Sequence, residues 1–97
     1  MDLVERAAID YWCGLTPSQQ KRQFYLELKR HCLDRGYRPG WTGCMYRERF
    51  GTWPPDGAER LPPAADVSVI VRDWLVERNK RFFAEKNARE RARAGRA

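Results

Sequence analysis

Residues 16–51 read TPSQQKRQFYLELKRHCLDRGYRPGWTGCMYRERFG, and this stretch decides the fold. Its first four residues are a helix start. Thr16 offers a capping hydroxyl, Pro17 takes the first helical position, where its missing N–H costs nothing, and Gln19 stands at N3 to complete a capping box. The spacing predicts a helix from there to about Arg35. Tyr25, Leu28 and Cys32 form one stripe, and Leu26 and Leu33 lie beside it. Lys21, Arg22, Lys29, Arg30 and Arg35 occupy much of the rest. Gly36 is placed to take the left-handed conformation that closes a helix. Tyr37-Arg38-Pro39-Gly40 is a tight connection, because a proline pushes the residue before it into an extended conformation. A third helix follows from about Trp41 to Phe50 and stops at Gly51. Gly43, Tyr46 and Phe50 share one of its faces, and its shortness means that packing against the second helix must hold it.

On the N-terminal side, Leu3, Ala7, Tyr11 and Val4, Ala8 recur at i+4 spacing, which predicts a short helix from Asp2 to Trp12 stopped by Gly14. On the C-terminal side, Thr52 to Asp66 reads TWPPDGAERLPPAAD. Four prolines there exclude a helix interior, so the segment is an irregular strap, with Trp53 and Leu61 as its expected pins to the core. The last helix starts near Val67 under an Asp66 or Ser68 cap. Val67, Ile70, Val71, Trp74 and Leu75 follow the amphipathic pattern, and Phe82 continues it. After Phe83 the stripe ends, and residues 84–97 hold alanines, charges and little else. They are good helix formers with nothing to bury. The expectation is therefore an all-α fold of about four helices, a single domain over 1–83, with a Pro-rich strap at 52–66 and an exposed basic helical tail over 84–97.

The 97 residues suffice for one modest core and exclude a complete motor, kinase or barrel enzyme. No run of about 18 apolar residues exists, so no membrane partner is expected. The opening MDLVERAAIDYW is acidic and broken by charges, unlike a secretory signal, so the cytoplasm is the expected compartment. Lys and Arg number 19 against 13 Asp and Glu, for a net charge of +6. The excess is concentrated in residues 17–51 and 67–97, the helical segments, while residues 1–16 and the strap are net acidic. Cys13, Cys32 and Cys44 are too few and too scattered for a disulfide framework. With His31 they make three Cys and one His, but no C-x2-4-C pair is present, and adjacent His31 and Cys32 point about 100° apart on a helix. They read as small core residues, with no metal or other cofactor expected.

Catalysis has little to rest on. His31 is the one histidine, Asp34 is its only local carboxylate, and no phosphate-loop, dinucleotide or nucleophile-elbow motif occurs. The protein reads as non-enzymatic. Charge interleaved with aromatics remains: Arg22, Lys29, Arg30, Arg35, Arg38, Arg47 and Arg49 among Tyr25, Tyr37, Trp41, Tyr46, Phe50 and Trp53. Cations contact phosphates and aromatic faces stack on bases, so the set suits nucleic acid. The same aromatics also serve a small core, and the same charge serves solubility. Arg38, Arg47 and Arg49 are expected on one electropositive surface. The block from Arg78, Lys80 and Arg81 onward is either a polybasic arm or a solvated face neutralised by Glu77/Arg81 and Glu85/Arg89 pairs.

Gly36 to Pro55, GYRPGWTGCMYRERFGTWPP, resembles a segment near the C-terminus of RadD-type DEAD/DEAH-box helicases of bacteria and phages. The likeness rests on Gly36, Tyr37, Arg38, Pro39, Gly40, Trp41, Tyr46, Arg47, Arg49, Phe50, Gly51, Trp53 and Pro54, within about residues 20–55. It implies a helical accessory module in a DNA context and carries no catalytic residue, because the nucleotide-binding motor is absent. The leading expectation is a module that binds nucleic-acid phosphates, DNA before RNA, through residues 17–51. The contacts would come from Arg22, Lys29, Arg30, Arg35, Arg38, Arg47 and Arg49, with Tyr37, Trp41 or Trp53 stacking and Arg78, Lys80 and Arg81 assisting. The alternative is a protein-binding inhibitor or adaptor of a phage or mobile element, anti-CRISPR-like, docking on a nucleic-acid enzyme or a single-strand-binding protein. A homodimer through the C-terminal helix is a third expectation, and the chain's start at Met1 reads as that of a free-standing protein.

Overall fold

The computed structural model describes residues 2–95, and among them the fold is all-helical, with no strand. Four α-helices follow in order: α1 (Leu3–Cys13), α2 (Pro17–Arg35), α3 (Gly40–Phe50) and α4 (Val69–Ala94), with one 3-10 turn at Ala58–Arg60 inside the strap. The last two residues of the expected tail, 96 and 97, lie outside the described residues.

The local signals at the ends of α2 act as the sequence reads, and Asp2, expected inside α1, is its cap. Asp2 accepts the Glu5 N–H at 2.8 Å to cap α1. The Thr16 box closes in both directions, Thr16 N–H to Gln19 Oε1 at 2.9 Å and Gln19 N–H to Thr16 Oγ1 at 3.2 Å. Gly36 sits at φ 69°, and the Tyr37 N–H reaches the Cys32 carbonyl at 3.0 Å.

The core is built around Phe24 of α2. Its ring meets Trp12 of α1 at 6.2 Å, Phe50 of α3 at 5.4 Å and Trp74 of α4 at 5.4 Å, each edge to face. One side chain thus touches all three other helices. The buried arc of α2 runs Glu27, Phe24, Leu28, Cys32, Tyr25, wider than the stripe the sequence suggests. Leu33 falls off that arc and is exposed, and Leu26 is half-buried. The α1 stripe is likewise turned. Leu3, Val4 and Tyr11 face solvent, while Trp12 carries the burial, because α1 has too few neighbours to cover both of its apolar edges.

In α4 only the first ten residues pack. Val71 and Leu75 are buried and Ile70 and Trp74 half-buried, but Phe82, expected to continue the core stripe, is 45% exposed. The helix has by then run past the body. At 1.5 Å per residue, α4 is about 39 Å long, and every described residue from Asn79 onward is exposed.

The N-terminus of α4 is held from a distance. Ser68 occupies the cap position, yet its side chain makes no capping bond, and its Oγ is buried without a partner. The Ser68 N–H instead donates to the carboxylate of Glu27, a residue 1% exposed, which also accepts from the Gln23 amide at 3.0 Å. A carboxylate at the positive end of a helix is favourable, so α2 serves as the cap of α4.

The strap lies along α2. Ala58 is its most buried residue, Leu61 is half-buried as expected, and Trp53 is 57% exposed. The Ala64 N–H donates to the Leu26 carbonyl at 3.1 Å. Lys29 Nζ donates to the carbonyls of Glu59 and Leu61, and Arg30 Nε to that of Ala64 at 2.7 Å. Proline-rich backbone has carbonyls without a helical partner, and long cations on the adjacent helix satisfy them.

Candidate nucleic-acid interface

The tip of the helix–turn–helix unit gathers three aromatic rings. Gly36 and Pro39 fold the turn so that Tyr37 falls back toward α2 while Trp41 opens α3. Their ring centroids lie 5.0 Å apart, and His31 closes the triangle at 5.9 Å from Tyr37 and 5.5 Å from Trp41. Tyr37 is 46% exposed, and His31 and Trp41 are half-buried, so the cluster presents ring surface to solvent on a supported base. Cys32 secures the turn from below, its thiol directed at the carbonyls of Tyr37 and Arg38 at 3.6 and 3.4 Å.

Arg35 and Arg38 flank these rings, both exposed and neither paired with a carboxylate among the described residues. The pKa of His31 is lowered from 6.5, first by burial and then by the Arg35 charge, with Asp34 opposing. The imidazole is therefore neutral near pH 7 and acts as a flat ring. Asp34 pairs with Arg30 at 3.4 Å, so His31 does not have that carboxylate to itself.

The other expected contact residues separate into groups. Lys29 and Arg30 are engaged on strap carbonyls. Arg47 lays its guanidinium over Trp53 at 4.7 Å, whereas Arg49 lies over Phe50 at 4.9 Å and Phe24 at 5.8 Å. Two residues apart on a helix is about 200° of rotation, so these two arginines leave α3 on opposite sides. Arg38 stands two residues before Gly40, at the opposite end of α3 from both. The expected single surface of Arg38, Arg47 and Arg49 is thus replaced by three separate positions. Arg78 is paired with Glu48 of α3 at 3.0 Å and covers Phe82 at 5.3 Å. Lys80 pairs with Glu77 at 3.5 Å, in place of the expected Glu77/Arg81 bridge. Arg81 lines the groove beside Arg49 and Trp74.

Arg22 lies elsewhere, in a cleft between the first turns of α2 and the strap, with Lys21, Tyr25, Tyr46 and Asp56. Tyr25 and Tyr46 are core residues by pattern, and the sequence holds no sign that their phenols open on a cleft. The pKa of Tyr25 is raised by burial first, then by the Glu59 and Cys32 charges, which keeps its hydroxyl a donor.

The cysteines differ from expectation. Cys32 alone is buried, and Cys13 and Cys44 are exposed. Among the described residues no group of three or more His, Cys, Asp or Glu side chains gathers as a metal site, and no helix is long and apolar enough to cross a membrane. A scan against protein-family models finds no match for this chain, and searches of curated proteins and of solved structures find none either.

Proposed function

We propose that the protein is a non-enzymatic module that binds single-stranded DNA at the tip of its α2–α3 unit. The observation that carries this reading is the partly exposed His31–Tyr37–Trp41 cluster beside Arg35 and Arg38, which pair with no carboxylate among the described residues. Aromatic faces take unstacked bases without reading sequence, and the guanidinium groups take the neighbouring phosphates. The duplex hides its base faces, so a stacking platform favours single strands. The projecting end of α4, rich in Arg and Lys from Lys80 to Arg93, adds long-range attraction. The motif likeness of residues 36–55 to a helicase segment agrees with a DNA context.

Fluorescence anisotropy with single- and double-stranded DNA across a salt series tests the reading. Tyr37→Ala is expected to weaken single-strand binding by about 1–3 kcal/mol, the value of one stacked base. The Arg35→Ala/Arg38→Ala pair is expected to shrink the log–log salt slope by about 1.4, or 0.7 per phosphate on a single strand. Equal binding by wild type and both variants overturns the assignment. A second reading, a protein-binding adaptor, is favoured by the solvent-facing Leu3, Val4 and Tyr11 on α1. Binding through that face would be nearly independent of salt.

A further inference from the structure

Ser18, Lys21, Arg22 and Tyr25 stand at i, i+3, i+4 and i+7 and so share one face of the first turns of α2. Tyr46 faces them from α3, the two phenol rings 6.0 Å apart and edge to face. Across from them the strap brings Asp56, and Pro55 and Leu61 supply an apolar wall, around a cleft of about 550 Å³.

The two tyrosines are the unusual feature. Tyr25 is 7% exposed and Tyr46 5%, yet neither hydroxyl has a hydrogen-bond partner among the described residues. Buried tyrosines usually find one. Among the described residues the only fully buried side-chain oxygen left without a partner is Ser68 Oγ, so both phenol hydroxyls reach the surface, and the cleft that both residues line is this one. Two largely buried tyrosines, whose hydroxyls bond no protein group among the described residues, thus line a pocket whose rim carries two cations.

We infer that this cleft binds a single nucleotide unit. Its phosphate lies on Lys21 and Arg22 beside the Ser18 hydroxyl, and the polar edge of its base or sugar meets the Tyr25 and Tyr46 hydroxyls and the Asp56 carboxylate. The charges select this chemistry. Two adjacent cations in the second turn of α2 suit one phosphate. Asp56 opposes a second anionic group and favours the amino, imino or hydroxyl donors that a nucleoside carries. The volume lies in the range of small-ligand sites. The cleft is a separate site from the tip, since Arg22 and Arg35 are about 20 Å apart along α2, and it stands whether or not the tip binds DNA.

The test is a backbone-amide NMR titration of the full chain with nucleoside 5′-monophosphates, a DNA trinucleotide, an unphosphorylated nucleoside and inorganic phosphate. Shifts are expected at residues 18–25, around Tyr46 and at 55–58, with inorganic phosphate and the nucleoside each binding at least about tenfold more weakly than the monophosphate. Tyr25→Phe with Tyr46→Phe removes only two oxygens and is expected to weaken binding about 5- to 20-fold. Arg22→Ala, at an exposed position, is expected to weaken it about tenfold and tests the site whether or not the tyrosine variant folds. Shifts in the cleft with the trinucleotide alone support the site and assign its nucleotide to a strand, whereas shifts with free monophosphates assign it to a soluble ligand. Inorganic phosphate binding as tightly as any nucleotide overturns the proposal, as do shifts that bypass the cleft or folded variants that bind like wild type.

Discussion

Helices α2 and α4 are both long and both basic, yet their charges do different things. α2 packs against α1, α3, α4 and the strap, and its two central cations meet partners there: Lys29 and Arg30 hold strap carbonyls, while Lys21, Arg22 and Arg35 stay exposed. α4 is anchored over ten residues, and from Asn79 onward it stands in solvent, where its cations hold nothing of the fold together. Equal-looking Lys and Arg are therefore structural at the middle of α2 and free along the projecting part of α4. The difference is made by neighbouring backbone that needs donors.

The comparison breaks most visibly at Phe24. Phe24→Ala empties the point where all four helices meet, and urea unfolding followed by circular dichroism is expected to show a loss of about 3–5 kcal/mol. A loss below about 1 kcal/mol would mean that α2 is not the hub. Glu27→Ala tests the link between the two helices. It strips the Ser68 N–H of its acceptor and the first turn of α4 of its counter-charge, with an expected cost of about 2–3 kcal/mol. Fast amide exchange in residues 69–72 would locate the damage.

Ser68→Ala is sharper because its sign is at stake. A working serine cap would lose about 0.5–2 kcal/mol on this change. With Oγ buried and unpartnered, removing it is expected to leave stability unchanged or raise it by about 1 kcal/mol. Truncation after Phe83 should shift the melting temperature by no more than about 2 °C, since surface residues that touch nothing contribute little. A large drop, with a change of apparent mass in size-exclusion chromatography, would show that the projecting helix is covered by a second copy.

The smallest effect concerns His31. Its folded pKa is lowered, so on acidification the unfolded chain takes the proton first. Its contribution to stability is complete above about pH 6.5 and is lost as the pH falls through the lowered folded value. The stability difference between wild type and His31→Gln, measured at about pH 7.5 and about pH 5, is expected to move against wild type at the lower pH.

Much of the fold is legible because its signals are local. A Thr-Pro-x-Gln start, a Gly36 stop and four prolines in fifteen residues each act within one or two turns, so the reading survives any tertiary arrangement. Phe24 is harder to see. Its burial follows from an arc of α2 that serves three neighbours at once, and a single stripe of Tyr25, Leu28 and Cys32 understates it. The tip of the candidate site is also legible: Tyr37, Arg38 and Trp41 are adjacent in sequence around a proline turn. The Tyr25–Tyr46 cleft is not, because its walls come from α2, α3 and a strap more than thirty residues downstream of its first residue.

By itself the sequence determined the helices, the ends of α2, the irregular strap and the basic surplus, since propensity, capping and charge are properties of short windows, whereas the start of α4 is set by Glu27 from another helix. Only the tertiary structure decided which cations are free. Lys29 and Arg30 face carbonyls that the strap cannot satisfy alone, Arg78 faces Glu48, and Arg35 and Arg38 face water. No window of sequence contains those partners, because a side chain's electrostatic role depends on groups brought within about 4 Å by the packing of other elements.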